Sequence, residues 1–344
     1  MSPTAPATAI TNGLPAFETI EATLDVTYTW GYQDTREKLR ELYRKAQRNQ
    51  WIQEDLLPWD TSVDLEAPGG PPELFPLYGS DIYRRLSERE LSDLNIEINA
   101  WTLSQFLHGE QGALLAAAQL VDSVPDLDSK LYGATQVVDE ARHVDVYNRY
   151  LHEKIGFSYP VSEHLKTLLD MILKDSRWDM KFLGMQIMVE GLALAAFSMI
   201  QKTTYEPLLR ALTTYVMQDE ARHVAYGILS LQEYYADQPE KEVREREDFV
   251  FEAARLMRDR FLFQDVWLKQ GLPSEECMKI ALENEGQKMF RQMLFTKIVP
   301  AIKRIGLLSD RQRQRFQELG ILQFEHGLDP FDELAAAEAA APNR

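Results

Sequence analysis

The stretches 135-TQVVDEARHVDVYNRY-150 and 215-YVMQDEARHVAYGI-228 decide the fold of this chain. Both contain the five letters DEARH, which end at His143 and His223, 80 positions apart. Each copy lies in a segment whose apolar spacing predicts a helix. A repeated group of ionisable residues in such helices indicates a function, because burying charge without a partner is costly.

Two further glutamates extend the repeat beyond the five letters. Glu110 lies 15 residues before Pro125, and Glu140 lies 15 residues after it. Because an α-helix rises about 1.5 Å per residue, two antiparallel helices joined near Pro125 would bring both glutamates to the same height. Glu190 and Glu220 stand 80 positions further on. The sequence therefore repeats a helical hairpin together with its polar residues.

Each predicted hairpin offers one isolated glutamate and one Glu-x-x-His pair. Residues three apart share a helix face, so Glu140 with His143, and Glu220 with His223, can point into a shared interior. Four carboxylates and two imidazoles there would be too costly without cations. Oxygen and imidazole ligands without thiolate favour iron or manganese over structural zinc. The candidate metal ligands are Glu110, Glu140, His143, Glu190, Glu220 and His223.

Helical signals dominate the rest of the chain, and strand signals are nearly absent. We expect an all-α fold, in which a four-helix bundle over about residues 87–236 carries additional helices before and after it. We expect residues 16–328 to form a single domain. We expect residues 1–15 to form a flexible arm and residues 329–344 to form a loose tail.

Composition excludes several classes of protein. The net charge of −17 repels a phosphate backbone, so we expect no nucleic-acid partner. Cys277 is the only cysteine, which rules out an internal disulfide and gives no sign of an oxidising compartment. The longest apolar run, residues 188–200, is shorter than the ~20 residues that span a bilayer and contains Glu190. We expect no membrane association and a cytoplasmic location, since the first fifteen residues lack a secretory signal.

The ligand pattern resembles the ferritin-like di-iron carboxylate superfamily, a likeness that covers roughly residues 87–236. Within it, the chain is most similar to the bacterial multicomponent monooxygenase hydroxylases and the ribonucleotide reductase small subunit. The resemblance implies two metal ions, with iron at both positions or a Mn/Fe pair. It assigns Glu110, Glu140 and His143 to one ion and Glu190, Glu220 and His223 to the other, with Glu140 and Glu220 bridging.

The resemblance also gives roles to residues beside the ligands. Asp139 and Asp219 would each accept the free imidazole N–H of a ligand histidine. Arg142 and Arg222 would balance charge nearby. The alternative is that these four side chains belong to solvated helix faces.

Three positions bear on the reaction. Leu194 stands where the monooxygenase hydroxylases commonly carry a threonine. Val216 stands where the para-aminobenzoate N-oxygenases carry a further histidine ligand, so we do not expect a close match to that family. Tyr147, four residues after His143, occupies the position of the radical tyrosine in the ribonucleotide reductase small subunit. The stretch NQWIQEDLLPWD, residues 49–60, is similar to an aromatic N-terminal region of that group and of its ligand-binding oxidase relatives.

The function expected from this resemblance is that of a di-iron oxidoreductase. It would activate O2 to hydroxylate, N-oxygenate or desaturate a small organic substrate. One alternative is a radical-generating protein or ligand-binding oxidase that uses Tyr147. The other is a ferritin-like ferroxidase or iron-storage protein, against which the extra helices after residue 239 argue.

Such chemistry needs an electron donor such as a ferredoxin or a reductase. An acidic donor could dock on the basic residues near the C-terminus, and homodimers are common among the relatives. The candidate docking residues are Lys303, Arg304, Arg311, Arg313 and Arg315.

Overall fold

The computed structural model describes residues 18–66 and 70–340, without the side chains of residues 337–340. The arm expected over residues 1–15 lies outside the described residues. Within the described ranges all regular secondary structure is helical, which confirms the predicted fold class.

Sixteen α-helices follow one another along the described chain. They are α1 (Glu37–Arg48), α2 (Gln53–Leu56), α3 (Asp81–Arg85), α4 (Glu88–Ser123), α5 (Leu127–Tyr150), α6 (Glu163–Lys174), α7 (Trp178–Phe182), α8 (Glu190–Thr203), α9 (Pro207–Ala236), α10 (Glu240–Asp259), α11 (Gln264–Lys269), α12 (Ser274–Glu283), α13 (Glu285–Met293), α14 (Ile298–Arg304), α15 (Asp310–Glu318) and α16 (Pro330–Ala340). Short 3₁₀ turns cover Pro72–Leu74, Arg260–Leu262 and Leu322–Phe324, and π-helical segments cover Leu151–Ile155 and Leu183–Val189.

Helices α4 and α5 form the first hairpin of the bundle. The α4 helix begins at a capping box, in which the Ser87 hydroxyl accepts from the Glu90 backbone N–H and the Glu90 carboxylate accepts from the Ser87 N–H. The Asp126 carboxylate caps α5 by accepting from the Ser129 backbone N–H. These local signals fix the turn near Pro125, so the two helices pack side by side along their length.

The second hairpin consists of α7, the π-helical segment Leu183–Val189, α8 and α9. The Glu206 carboxylate caps α9 by accepting from the Leu208 and Leu209 backbone N–H groups, and Pro207 takes the first helical position, where no N–H is needed. Helix α1 packs across α5 and α9. It therefore closes one side of the four-helix bundle.

One helical stretch, Trp178–Thr203, is long and apolar enough to cross a bilayer by length and composition. Its most apolar window is 78% buried inside the protein. Burial of this kind is what a central core helix requires, and the stretch supplies one wall of the bundle.

The C-terminal segment differs from the loose tail expected over residues 329–344. Residues 330–340 form α16, which packs on α9, while residues 341–344 lie outside the described residues. The Arg304 guanidinium pairs with Asp329 and Asp332, and the Lys297 ammonium pairs with Glu333. The sequence suggested a tail because AAAEAAA has no amphipathic pattern, whereas the anchoring ion pairs depend on tertiary contacts.

The basic residues considered for docking an electron donor are already engaged within the chain. Acidic side chains pair with four of them, and the Lys303 ammonium donates to the Glu325 carbonyl. The pairs are Arg304 with Asp329 and Asp332, Arg311 with Glu247 and Asp248, Arg313 with Asp310 and Glu325, and Arg315 with Asp248. These five side chains already have partners within the chain, so the structure gives the docking hypothesis no added support.

Candidate metal centre

The six candidate ligands converge inside the bundle. Potential ligand atoms of Glu110, Glu140, His143 and Glu220 lie within 4.8 Å of one another, and those of Glu140, Glu190 and His223 form a second such group. All six side chains are buried. Glu140 belongs to both groups, as a carboxylate bridging two ions would.

The arrangement is the consequence of two equivalent hairpins. Glu110 on α4 faces Glu140 and His143 on α5, because the two helices meet at a turn halfway between the glutamates. Glu190 begins α8 and faces Glu220 on α9. The hairpins pack with these faces inward and enclose the polar cluster.

The donor atoms fit metal ions. Buried carboxylate oxygens normally accept hydrogen bonds, yet several ligand atoms here have no hydrogen-bond partner. They are Oε2 of Glu140, Oε2 of Glu190, both carboxylate oxygens of Glu220 and Nδ1 of His223. Cations would satisfy these atoms together, which agrees with a set composed only of carboxylate and imidazole groups.

Burial and mutual repulsion perturb the carboxyl groups. Burial and the nearby Glu220 raise the pKa of Glu110 to about 8. Burial, with Glu220 and Glu140 close by, raises the pKa of Glu190 well above its ordinary value. Without cations these groups would hold protons, so metal binding must displace them.

The two histidines are oriented by aspartates of the opposite DEARH copy. Nε2 of His143 lies 3.1 Å from Oδ2 of Asp219, and Nε2 of His223 lies 3.3 Å from Oδ2 of Asp139. Their Nδ1 atoms face the glutamates, at 3.3 Å from Glu110 for His143. The crossed pairing ties the hairpins together and gives Asp139 and Asp219 the contacts expected from the sequence.

Arg142 and Arg222 do not lie on solvated faces. Arg142 pairs with both Asp139 and Asp219, and Arg222 pairs with Asp219. Nearby positive charge and the His143 hydrogen bond hold the pKa of Asp219 far below its usual range. Asp219 thus stays ionised beside the centre.

The N-terminal part of the chain adds two side chains that the sequence did not assign. The Trp51 indole N–H donates to Oδ2 of Asp219 at 2.7 Å, and the Arg142 guanidinium stacks over the Trp51 ring. The Gln50 amide donates to Asp139 at 2.7 Å. The aromatic stretch 49–60 was the available signal, but only the fold shows which residues reach the aspartates.

A buried pair of glutamines also escaped sequence reasoning. The Gln136 amide donates to Glu190 at 2.8 Å and to Glu140 at 3.0 Å, and the Gln186 amide approaches the Gln136 carbonyl at 3.4 Å. Gln186 lies in the π-helical segment before Glu190. The sequence offered one signal. Gln136 lies 80 residues before Val216, so the two copies of the repeat carry different residues at this position.

Tyr147 lies in the first hairpin and is fully buried. Its hydroxyl has no hydrogen-bond partner among the described residues, and its ring stacks on Phe197 with centroids 5.9 Å apart. Burial and the nearby Glu110 raise its pKa well above the ordinary value. Tyr147 is therefore a neutral phenol beside the ligand cluster.

Two cavities approach the centre. The inner cavity is lined by ligand glutamates and by residues of neighbouring helices, among them Phe106, Glu110, Glu190, Ala193, Glu220 and Arg260. The outer cavity, of about 310 Å³, is lined mainly by apolar side chains, among them Phe75, Ile98, Phe106, Met199, Phe263 and Phe290. Phe106 lines both cavities.

The helical bundle and its carboxylate and histidine cluster define a ferritin-like protein with a two-metal site. The family model of the p-aminobenzoate N-oxygenase AurF matches residues 32–306. The chain belongs to this family, and it is an O2-dependent oxidase or oxygenase of the di-iron class. The expectation, based on Val216, that the chain would not match this family closely was wrong. The match extends over both hairpins, so one ligand position does not decide membership.

Solved structures share the fold. An R2-like ligand-binding oxidase with aerobically reconstituted Mn/Fe cofactor is 18% identical, covers 82% of this chain and 99% of its own, and has a TM-score of 0.50. A point mutant of an R2-like ligand-binding oxidase with anaerobically reconstituted Mn/Fe cofactor is 17% identical, with the same coverages and a TM-score of 0.51. No curated protein matches the chain.

Proposed function

We propose that this protein inserts oxygen on the nitrogen of a small aromatic amine. The observation that carries the proposal is the match of the AurF family model across residues 32–306, which include both glutamate and histidine hairpins. Hydroxylation or desaturation at carbon remains the competing outcome for the same centre. The radical-generating and iron-storage alternatives are not favoured.

The six residues Glu110, Glu140, His143, Glu190, Glu220 and His223 would hold the two metal ions. When bound, the metal pair supplies the electrons and Lewis acidity that activate O2. Orphaned carboxylate oxygens at the centre support this assignment. We propose iron at both positions, with a Mn/Fe pair as the alternative.

The protein's own groups prepare the site for that chemistry. Asp139 and Asp219 fix the orientation of the two histidines and keep their Nδ1 atoms toward the glutamates. Apolar side chains such as Leu194 and Val216 are buried near the ligands and limit access of bulk water. The amine would approach from the outer cavity, of about 310 Å³, past Phe106, which lines both cavities.

Conversion of an amine to a hydroxylamine needs electrons from outside. One O2, two electrons and two protons give the N-hydroxyl group and one water. We propose that a ferredoxin or a reductase supplies the electrons, and that the protein acts in the cytoplasm as a homodimer.

The decisive experiment starts from protein loaded anaerobically with ferrous iron and freed of unbound metal. Labelled O2, a chemical reductant and p-aminobenzoate are added, and products are identified by mass spectrometry. We expect one labelled oxygen bound to nitrogen at first, followed by further N-oxidation. Labelled oxygen on carbon, with the amine intact, would refute N-oxygenation in favour of hydroxylation.

Matched variants tie the product to the centre. Glu140→Ala removes a ligand common to both metal groups and should abolish the product. Glu153→Ala removes an exposed glutamate at the end of the same hairpin and should leave the yield unchanged. Equal loss in both variants would show that the effect is not specific to the centre.

For Tyr147 we propose a redox role beside the centre, which its full burial next to the ligand Glu110 supports. A tyrosyl signal should form by electron paramagnetic resonance when O2 meets the reduced protein without substrate. It should be absent in Tyr147→Phe, while Tyr159→Phe should retain it. A signal that persists in Tyr147→Phe would contradict this role.

A further inference from the structure

We propose that a cavity at the ends of α10 and α12, on one side of α13, binds a phosphate group. Its volume is about 190 Å³, and Arg258, Lys288 and Arg291 supply its positive charge. We call it the basic pocket. It shares no lining residue with the two cavities that approach the metal centre, so the proposal stands apart from the reaction at the metals.

The charge of the basic pocket is opposite to that of the chain. Three of its lining side chains are cationic, and among the described residues that line it none is acidic. The whole chain has a net charge of −17. Cations gathered in a cleft raise the local concentration of anions, so the basic pocket is suited to a negatively charged ligand.

Arg291 is the fixed part of the basic pocket. It is 4% exposed, and its guanidinium donates to the carbonyls of Ala281 and Leu282 at 2.9 and 2.8 Å, in the last turn of α12. Carbonyl dipoles orient a cation but carry no full charge, whereas buried charges are ordinarily paired with a counter-charge. Burial and the nearby Arg258 lower the pKa of Arg291. The two guanidiniums therefore lie close enough to repel each other.

The other two cations have only weak partners. Arg258 pairs with its neighbour Asp259, with 2.6 Å between Nε and Oδ1, and Asp259 also attracts Arg291. Nζ of Lys288 lies 3.8 Å from the exposed Glu285. Partly or fully exposed ion pairs contribute little free energy. Arg258 and Lys288 can therefore turn to a bound anion at small cost.

A phosphate group matches this set of cations. It carries close to two negative charges at pH 7, while a carboxylate carries one. A guanidinium binds phosphate oxygens through two parallel N–H groups, and an ammonium binds them as a point charge. Gln292, which also lines the basic pocket, adds an amide donor.

The remaining lining leaves room for an organic group on the phosphate. A volume of 190 Å³ is that of about six water molecules at ~30 Å³ each, more than a phosphate group alone fills. Apolar side chains complete the wall, and burial against them stabilises an apolar group. They are Leu282, Phe295, Leu319 and Ile321.

Helix α13 separates the basic pocket from the outer cavity. Lys288 and Arg291 line the basic pocket, whereas Gln287 and Phe290 of the same helix line the outer cavity. A phosphate ester in the basic pocket therefore does not occupy the space through which an amine would reach the metals. It is a second ligand of the protein.

The test measures binding by calorimetry to the iron-loaded protein under anaerobic conditions, in a buffer without phosphate. The probes are phenyl phosphate and inorganic phosphate. Arg258→Gln removes one cation of the basic pocket, and Leu282→Glu adds a carboxylate at its partly exposed rim.

Each variant has a matched control outside the basic pocket. Arg255→Gln removes an exposed arginine one turn earlier on α10, where Arg255 pairs with Glu252. Leu268→Glu adds a carboxylate at an exposed leucine of α11.

We expect phenyl phosphate to bind wild type and both controls alike, and to bind Arg258→Gln and Leu282→Glu about tenfold or more weakly. Tighter binding of phenyl phosphate than of inorganic phosphate would identify the ligand as an ester, and equal binding would identify it as the free ion. Both results support the site. No measurable binding at millimolar phenyl phosphate, or equal binding to all five proteins, would overturn the proposal.

A second measurement locates the bound phosphate, because metal ions also accept phosphate oxygens. Acetylation of lysines is followed by mass spectrometry with and without phenyl phosphate. Lys288 should react several-fold more slowly when the ligand is present, while Lys279, exposed on α12, should react at the same rate. Unchanged acetylation of Lys288 would show that the phosphate binds elsewhere, and would refute the basic pocket.

Melting temperatures control for folding. Arg258→Gln should melt close to wild type without ligand, because it loses only a partly exposed ion pair. Phenyl phosphate should raise the melting temperature of wild type and Arg255→Gln, and should raise that of Leu282→Glu much less. An equal rise in Leu282→Glu would contradict the proposal.

Discussion

The two hairpins carry equivalent metal ligands, yet their surroundings differ. The first, α4 and α5, is regular α-helix through its ligand positions and bears Gln136 and Tyr147. The second passes through π-helical turns immediately before Glu190, and has Val216 and Gly227 at the equivalent places. The ligands therefore follow the repeat, while neighbouring residues make the two halves of the centre unequal.

The difference has a packing cause. A Cβ on Gly227 would lie 2.7 Å from Cβ of Gln186, so the absence of a side chain there lets α9 approach the π-helical segment. That approach leaves room for Gln186 beside Gln136. The equivalent place in the first hairpin holds the Tyr147 ring. The first hairpin thus adds Gln136 and the Tyr147 phenol to the centre, and the second adds Gln186.

Among the variants that test this comparison, those that remove a metal ligand should have the largest effect. Glu140→Ala should remove both metals from a protein that otherwise holds two per chain, because Glu140 belongs to both ligand groups. Glu110→Ala and Glu190→Ala should each lose one. Metal analysis after desalting measures the outcome, and two retained metals in Glu140→Ala would exclude its bridging role.

Gln136→Val places in the first hairpin the residue that the second hairpin has at the equivalent position, Val216. It removes the donor to Glu190 and Glu140 and takes away the partner of Gln186. We expect about 10- to 100-fold weaker metal binding, as for other groups that orient ligands. Competitive titration with a chelator measures it. Val216→Ala, which only shortens an apolar side chain at the equivalent position, should change the affinity far less.

Gly227→Ala tests the close approach in the second hairpin. The added methyl collides with Gln186, so we expect a loss of about 1–3 kcal/mol in the free energy of unfolding. Gly109→Ala is the control in the first hairpin, where a Cβ meets nothing within 4 Å. It should stabilise α4 by up to about 1 kcal/mol. Denaturant unfolding measures both, and equal effects would disprove the packing argument.

The two hairpins also differ in a buried lysine, whose effect on the free energy of unfolding is smaller and depends on pH. Lys181 stands where the first hairpin has Trp101. Its ammonium donates to Gln119 and to the carbonyls of Ile172 and Leu173 at the end of α6. Burial lowers its pKa to about 8, against about 10.4 in an unfolded chain. At pH values between these two pKa values, the unfolded state binds more protons than the folded state. This group therefore makes the free energy of unfolding rise with pH.

Lys181→Met should remove that contribution. Urea midpoints at pH 8 and pH 10 should rise less with pH in Lys181→Met than in wild type. Lys174→Met, which changes an exposed lysine at the end of α6, should behave as wild type. Parallel pH profiles for Lys181→Met and wild type would show that Lys181 has no depressed pKa in the folded protein.

Much of the fold was predictable because its signals are local. The Ser87 capping box, the turn near Pro125 and the cap before Pro207 each act within a few residues. The equal spacing of Glu110 and Glu140 then predicted which residues would meet. The C-terminal helix α16 was missed because its docking depends on ion pairs between distant segments.

The sequence alone determined the all-helical class, the two hairpins and the residues available to bind metal, because helix geometry converts spacing into position. Only the tertiary structure decided the crossed pairing of His143 with Asp219 and His223 with Asp139, the glutamines at the centre and the exposure of Arg260 to the inner cavity. These features join segments far apart in the chain. Their register is set by side-chain packing between helices, which no local pattern encodes.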